Sequence, residues 1–345
     1  MLARVDFNKV ILGAKGGWGK GGAGRTARVW QEESMQIAVI GAGISGLVCA
    51  QKLAVAGHQV LVFEKSRSLG GRCASRKLGD HVVDSGVQYF TLRDSEVRKE
   101  VQSVAGDQLK TITLPIYEAG EIYRNGEERF YLKDGNNRLG KLLAEGLEVR
   151  KETEVERVLL RGKKWEVAGE LFDGVVSSAP WPQSAVLFGM TGGQVAFEPN
   201  LTACLEYLVP WDGAKYATLD ATGQEPLAWV GCENAKKGRI QGEKSVYVIQ
   251  ASTAYSQKYL EKDPAEWLSD LLERLEKSWG LSPDKRGATF GHRWRYARRG
   301  RGAQHPSALV DGLYLCGDSV TDSRVEAVWK SGIEVAEKVL ARGGL

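Results

Sequence analysis

The stretch IAVIGAGISGLVCAQKLAVAGHQVLVFEKS (37–66) decides how the rest of the chain is read. IAVIG (37–41) is a short apolar run, and HQVLVFEKS (58–66) is a second. Between them GAGISGLVCAQKLAVAG (41–57) is a glycine-rich turn that leads into an apolar helix ending at Gly57. Strand, helix and strand within about thirty residues form a βαβ unit with parallel strands. Gly41, Gly43 and Gly46 make G-x-G-x-x-G, with Ile44 and Ser45 inside it. The first glycine makes the tight turn, the second lets a phosphate-bearing ligand approach the backbone, and the third lets the helix pack closely on the strand. Phosphates then meet free N–H groups at the positive end of the helix dipole. Glycine-rich turns of this kind also occur with no ligand, so the acid that follows carries weight. Glu64 ends the second strand, 18 residues past Gly46. A carboxylate there serves the ribose hydroxyls of a dinucleotide and repels a 2′-phosphate.

Leu69-Gly70-Gly71-Arg72 follows the second strand at once. Two glycines let the chain pass close to a pyrophosphate, and a guanidinium can neutralise it with bidentate hydrogen bonds. A nicotinamide dehydrogenase would normally run on into its next helix here, so the segment favours FAD over NAD. A turn with a surface arginine is the plainer alternative. FAD is too long for a single βαβ unit. GLYLCGDSVTDSRVEAVWKSGIEVAEKVL (312–340) offers a second contact, a buried strand ending in Gly317-Asp318 with a helix soon after. Asp318 can accept hydrogen bonds from ribityl hydroxyls, and the helix start can face the edge of a flavin where negative charge collects on reduction. Asp318 also suits a simple N-cap.

The chain has 345 residues, enough for two domains or one with an insertion, and 43% hydrophobic and 26% charged residues are ordinary for a globular protein. A net charge of +4, from 47 basic and 43 acidic side chains, is too small to imply nucleic-acid binding. No apolar run approaches the ~20 residues of a membrane span. Cysteines at 49, 73, 204, 232 and 316 contain no CxxC pair. That argues against a disulfide framework, a zinc site or a redox dithiol, no metal constellation is visible, and the usage suits a reducing compartment. Residues 1–34 include GAKGGWGKGGAG (13–24), glycine-rich and basic with no core-forming period. They read as a disordered extension, an organelle transit peptide, or translation from upstream of the true start. Met35, directly before the first strand, favours the last. The expected location is the cytoplasm, or an organelle if 1–34 is a transit peptide.

Further on, LGKLLAE (139–145) reads as a helix, EVRKETEVERVLLRGKKWEVAG (148–169) as strands of a meander, and GVVSSAPW (174–181) as a strand ending in a loop. SVYVIQAS (245–252) and ATFGHRWRYA (288–297) read as strands. Asp263-Pro264 opens a helix through Trp279 with Leu268, Leu271, Leu272 and Leu275 on one face. Along HRWRYA, alternation places His292, Trp294 and Tyr296 on one face and Arg293 and Arg295 on the other. The aromatic face can wall a flat substrate. Arg298, Arg299 and Arg301 continue a positive charge suited to a phosphate-bearing ligand such as a nicotinamide dinucleotide. Core aromatics with a solvated basic face explain the same pattern. His292 and His305 are the acid–base candidates among four histidines, although a lone histidine is more often structural.

GAGISGLVCAQKL, FEKSRSLGGRCASRK and LYLCGDS…VEAVWKSG resemble the amine-oxidase and phytoene-desaturase superfamily of FAD proteins. DSGVQYFTLRD (84–94), RFYLKDGNNRLGKLLAEGLEV (129–149) and GHRWRYA (291–297) are similar to its renalase-like branch. The resemblance is scattered over 36–340. It implies an α/β fold, a Rossmann-type FAD-binding domain with an inserted mixed β-sheet and helix substrate domain. The expected division is 35–85, 138–182 and 285–345 for FAD, and 86–137 and 183–284 for substrate. The resemblance also implies that Ser45 touches the pyrophosphate, Glu64 and Lys65 the adenosine side, and Gly71-Arg72 the phosphates. Gln88 and Tyr89 would lie near the isoalloxazine, with Tyr89 a candidate for catalysis. Val155 would meet the adenine through its backbone, and Gly317, Asp318 and Val325 would hold the flavin end. His292, Trp294, Tyr296 and Trp329 are the candidate substrate residues. The implied reaction passes a hydride from a small substrate to flavin N5, with O2 as acceptor giving H2O2. The implied substrate is a dihydronicotinamide isomer of NAD(P)H. An amine oxidase, a desaturase and a non-catalytic flavin-binding protein share the same cofactor motifs, and the oligomeric state is not legible.

Overall fold

The structure, a computed structural model, describes residues 34–190, 195–300 and 309–343. The N-terminal extension up to residue 33, Arg301 and His305 lie outside the described residues.

The first sheet grows from the βαβ unit. β1 (Gln36–Ile40) and β2 (Gln59–Phe63) pair in parallel, with Ile37 opposite Val60 and Val39 opposite Val62. α1 (Ile44–Val55) connects them. β9 (Glu148–Arg150) adds beyond β2, and β13 (Gly174–Ser177) and β19 (Leu313–Leu315) add beyond β1, all parallel. Side chains alternate along β1. Ile37 and Val39 face one cluster with α1, α2 (Ser95–Ala105), α3 (Arg138–Leu143) and α7 (Val325–Gly343). Ala38 and Ile40 face the opposite cluster. There a three-stranded antiparallel meander covers the sheet: β10 (Val158–Arg161), β11 (Lys164–Val167) and β12 (Glu170–Phe172). A sheet buried on both faces needs continuous apolar strands, and IAVI and VLVF supply them.

The strands of the second sheet are β6 (Ile116–Glu118), β7 (Glu121–Ile122), β14 (Phe197–Tyr207), β15 (Ala217–Leu219), β16 (Leu227–Cys232), β17 (Ser245–Ala251) and β18 (Arg286–Arg299). Their order is β18-β14-β17-β16-β15-β6-β7. Only β15 and β6 pair in parallel among these. Leu201, Ala203 and Leu205 of β14 turn toward α5 (Thr253–Tyr259) and α6 (Pro264–Trp279), whose Trp267, Leu271, Leu272 and Leu275 complete that core. Trp267 lies over Gly291, where an added Cβ would sit 2.4 Å from its ring. The opposite face of the sheet looks toward the half built on the parallel sheet across the hairpin of β3 (Ser75–Leu78) and β4 (His81–Asp84). β5 (Leu109–Ile112) and β8 (Arg129–Leu132) form a further pair.

Four expectations need correcting. Glu148–Arg150 joins the parallel sheet and not the meander. The strand of 174–181 ends at Ser177 in a short loop as expected, but Trp181 lies outside that loop and starts α4 (Trp181–Leu187), with Pro182 in its first turn. Arg286–Arg299, assigned to the FAD segments, runs along β14 at the edge of the second sheet. Conversely α2 and β8, assigned to the substrate segments, send Val97, Val101, Phe130 and Leu132 into the core of the first half. Apart from the helix start at Trp181, these placements depend on pairings across many tens of residues, which local pattern does not encode.

Candidate functional site

The site starts at the C-terminal end of β1. Gly41 takes φ +99, its N–H donates to the Phe63 carbonyl at 2.8 Å, and its own carbonyl accepts from Ser178 Oγ at 2.8 Å. A Cβ on Gly46 would lie 2.3 Å from that same carbonyl, so helix and strand meet more closely than any side chain allows. At Gly43 a Cβ would find only Ser178 Oγ, at 3.9 Å, which leaves the backbone open. α1 begins there with no side-chain cap and no acidic residue in its first turn. Its leading N–H groups are therefore available to an anion. The Gly70-Gly71 turn closes over this opening: Gly43 and Gly70 form a bridge, and Gly71 approaches Gly43 so that a Cβ would be 3.2 Å from its Cα.

The two ends of the chain meet here. Gly317, with φ +82, sits against Ser45, and a Cβ on it would lie 2.8 Å from Ser45 Oγ. Its N–H donates to Ser331 Oγ of α7 at 3.0 Å. Val325 is buried in the same core at the start of α7. On the far side of the turn, the buried Glu64 accepts from the Ala42 N–H at 2.8 Å and from the Ser66 N–H and Oγ at 2.8 and 2.6 Å. Lys65 beside it is exposed. The backbone of Thr153 pairs with the Glu64 carbonyl at 3.0 Å, which brings the buried Val155 to the same corner.

Arg72 and Asp318 form a bidentate ion pair: Nη1 donates to Oδ2, and Nη2 to Oδ1 at 2.6 Å. Nη1 also reaches the carbonyls of Tyr296 and Ala297 at 3.2 and 3.1 Å. Asp318 is 1% exposed, and its Oδ2 accepts from Ser323 Oγ at 2.7 Å as well.

The segment Asp84–Tyr89 forms the seam between the two halves. The Ser85 carbonyl accepts from Trp294 Nε1 at 3.0 Å, and the Gly86 carbonyl from Gln250 Nε2 at 2.7 Å. The Gln88 carbonyl accepts from Tyr216 Oη at 3.2 Å. Gln88 Nε2 is turned to the Asp84 and Gly86 carbonyls, which leaves Oε1 buried without a partner, near Gly231 and the equally unpartnered Trp229 Nε1. Tyr89 packs against Tyr216 and Trp229, at ring separations of 6.1 and 5.7 Å. Burial pushes the Tyr89 phenol above its usual range, so it stays a neutral hydrogen-bond donor.

Sequence reasoning missed what anchors this seam. Asp84, Glu233, Lys236 and Arg239 form a closed ion network, each at most 6% exposed. Lys236 Nζ lies 2.7 Å from Asp84 and 2.5 Å from Glu233, and Arg239 lies 2.8 Å from Asp84 and 2.7 Å from Glu233. Burial alone would lift the Asp84 carboxyl, but Lys236, Arg239 and the Asn136 N–H outweigh it and hold it below the ordinary value. Burial raises Glu233 against the pull of the same cations. Glu-x-x-Lys-x-x-Arg (233–239) was the visible half of the pattern; its partner lies 149 positions earlier, at Asp84.

His292 and Trp294 share a face as their alternation requires, with rings 4.2 Å apart and nearly perpendicular. Tyr296 follows against Phe197. Through the register Thr202–His292, Thr202–Gln250 and Gln250–Trp229, this face also carries Thr202, Gln250 and Trp229. His292 is pushed down to about 4 by burial and by the charge of Arg76, so it is neutral at pH 7. Arg295 and Arg298 are paired with Glu261 and Glu198, and Arg293 with the Lys262 carbonyl, so the basic run is largely balanced. Trp329, expected beside substrate, is instead 2% exposed in the helical core, its Nε1 donating to Glu100 of α2 at 2.8 Å.

Among the described residues no group of three or more His, Cys, Asp or Glu is placed to hold a metal, and no helix is long and apolar enough to cross a membrane.

A family model described as an NAD(P)-binding Rossmann-like domain matches residues 39–103. The 4,4'-diapophytoene desaturase (4,4'-diaponeurosporene-forming) of Staphylococcus haemolyticus (strain JCSC1435) is 48% identical over 97 residues, 28% of this chain and 19% of that protein. The chain thus spans about a fifth of that relative's length. Among solved structures, a putrescine oxidase variant superposes with a TM-score of 0.71 at 13% identity, covering 90% of this chain and 99% of that one. Cyclohexylamine oxidase from Brevibacterium oxydans IH-35A gives 0.67 at 12% identity, covering 89% and 100%. The chain shares the fold of these oxidases.

Proposed function

We propose that this protein is an FAD-dependent oxidoreductase of the amine-oxidase and desaturase type, acting on a small molecule held between the two sheets. The observation that carries the reading is the meeting of the uncapped α1 start with the Gly317 turn at Ser45. An adenine dinucleotide needs the first of these, and a cofactor extending past its diphosphate needs the second. Residue types agree with position. The N–H groups at Ile44–Gly46 would hold the diphosphate, and Glu64, with Lys65 and Val155 at the same corner, would hold the adenosine. Gly317, Asp318 and Val325 would border the ring end, beside Gln88 and Tyr89. Bound there, FAD would supply the hydride acceptor, and O2 is the acceptor we propose for the electrons, with H2O2 as the product.

The chain's own residues position and desolvate. Trp294 and Tyr296 of β18 and the Tyr89–Trp229 cluster would wall the substrate and exclude water, which is most of what hydride transfer asks of a protein. Neutral His292 can donate or accept a hydrogen bond but carries no charge to the reaction. Within this class we take the renalase-like reading first, with a dihydronicotinamide isomer of NAD(P)H as substrate, on the resemblance of DSGVQYF and HRWRYA. Amine oxidation is the second reading, favoured by the shared fold of putrescine and cyclohexylamine oxidases. Anaerobic mixing with reduced pyridine-nucleotide isomers, and separately with amines and an apolar polyene, tests all of these. Flavin bleaching by the nucleotides alone supports the first, and bleaching by amines alone the second. FAD that stays oxidised with every donor removes the catalytic reading and leaves a flavin-binding protein.

A further inference from the structure

Three arginines and two glutamates gather where the loop between β7 and β8 passes the start of α2, and their pairing leaves one cation over. Arg93 takes Glu127 through Nε and Nη2, and Arg98 of α2 takes Glu128 at 2.6 Å. The other Glu127 oxygen accepts from Asn125 Nδ2 at 3.0 Å. Arg129, the first residue of β8, forms no ion pair with a carboxylate among the described residues. Its polar neighbours are neutral: Nη2 donates to Asn125 Oδ1 at 3.0 Å, and the Tyr89 phenol faces the guanidinium. Nε is buried without a hydrogen-bond partner. The side chain is half-buried and stands over the Tyr89 ring, with Cζ 5.8 Å from the ring centre.

The face of an aromatic ring attracts a cation, but an oxyanion in hydrogen-bonded contact attracts it more strongly. A guanidinium also presents a planar fork that matches the oxygens of a carboxylate or a phosphate. The basic run of β18 has less to offer, because Arg295 and Arg298 already face Glu261 and Glu198. Tyr89 packs with Tyr216 and Trp229, so Arg129 rims that aromatic wall with a charge that nothing nearby balances.

We propose that Arg129 is a specificity residue that binds an oxyanion, a phosphate or a carboxylate, carried by the substrate. The proposal rests on the reading above, in which the Tyr89–Trp229 cluster walls the substrate, and it narrows the substrate to an anionic small molecule. A diamine would bring a second cation to the same rim, where like charges repel.

Two pairs of unreactive probes test this by calorimetric titration of the FAD-saturated protein. Nicotinamide mononucleotide is compared with nicotinamide riboside, which lacks its phosphate, and benzoate is compared with benzamide, which lacks its charge. Wild type should bind the anionic member of at least one pair about tenfold more tightly than its neutral counterpart. A preference in the first pair alone assigns a phosphate, and in the second alone a carboxylate. Arg129→Met should abolish that preference, weakening the anionic probe about tenfold and leaving its counterpart within about twofold. Equal weakening of both members would mean that Arg129 only supports Tyr89, and would overturn the proposal; so would a wild type with no preference in either pair. Asn125→Asp gives a second reading with Arg129 intact. Asn125 is exposed, and a carboxylate in its place would balance the guanidinium. It should weaken the anionic probe about threefold or more, and unchanged binding would contradict the assignment. A protein that takes up no FAD would sink the cofactor reading. Calorimetry needs no flavin colour, so the same titrations would still decide the role of Arg129.

Discussion

His292 shows how far a single side chain can depart from the role its type suggests. Half-buried beside Trp294, and facing the charge of Arg76, it titrates at about 4 and not at 6.5. A histidine whose folded value is depressed adds stability that is present above about 6.5 and is lost as pH falls through 4. His292→Gln should therefore flatten the acid limb of stability between those values, read as urea midpoint against pH; parallel limbs would contradict the assignment. At this scale the sequence was most legible where chemistry is local. Gly41 and Gly46 stand where a turn and a close approach demand them, and Gly43 leaves the backbone open between them. The Arg72–Asp318 pair was not legible, because each residue had a sufficient local explanation and nothing in the pattern links positions 246 apart.

Among elements, α6 could be placed to the residue, since Asp263 caps it by accepting from the Ala265 N–H at 2.8 Å and Pro264 opens it. β18 could be recognised as a strand with its aromatic face correctly composed, but its partner could not, because pairing with β14 is decided by tertiary packing. The α1–α2–α7 junction offers a test of such packing. Trp329 bridges it through Glu100, which also pairs with Lys52 of α1 at 2.6 Å. Trp329→Phe should cost about 1.5–3 kcal/mol by removing a hydrogen bond to a charged carboxylate, measured by denaturant unfolding, and should leave KM unchanged. A raised KM with unaltered stability would return Trp329 to the substrate wall.

For the whole molecule, the seam at Asp84–Tyr89 joins the half built on the five-stranded parallel sheet to a seven-stranded sheet. Its anchor is the Asp84–Glu233–Lys236–Arg239 network, two cations against two carboxylates in a dry environment. Such a network contributes little net stability when complete, yet removing one member strands an opposite charge. Lys236→Met should cost about 3–5 kcal/mol in unfolding free energy. A loss below about 1 kcal/mol would mean that water reaches the network and screens it. The central claim is that the α1 start and the Gly317 turn enclose one FAD. Its most direct measurement is equilibrium titration of the purified, folded apoprotein with FAD, followed by flavin absorbance and fluorescence. We predict saturable, stoichiometric uptake that is lost or strongly weakened in Glu64→Ala; a folded protein that remains colourless at excess FAD contradicts the account.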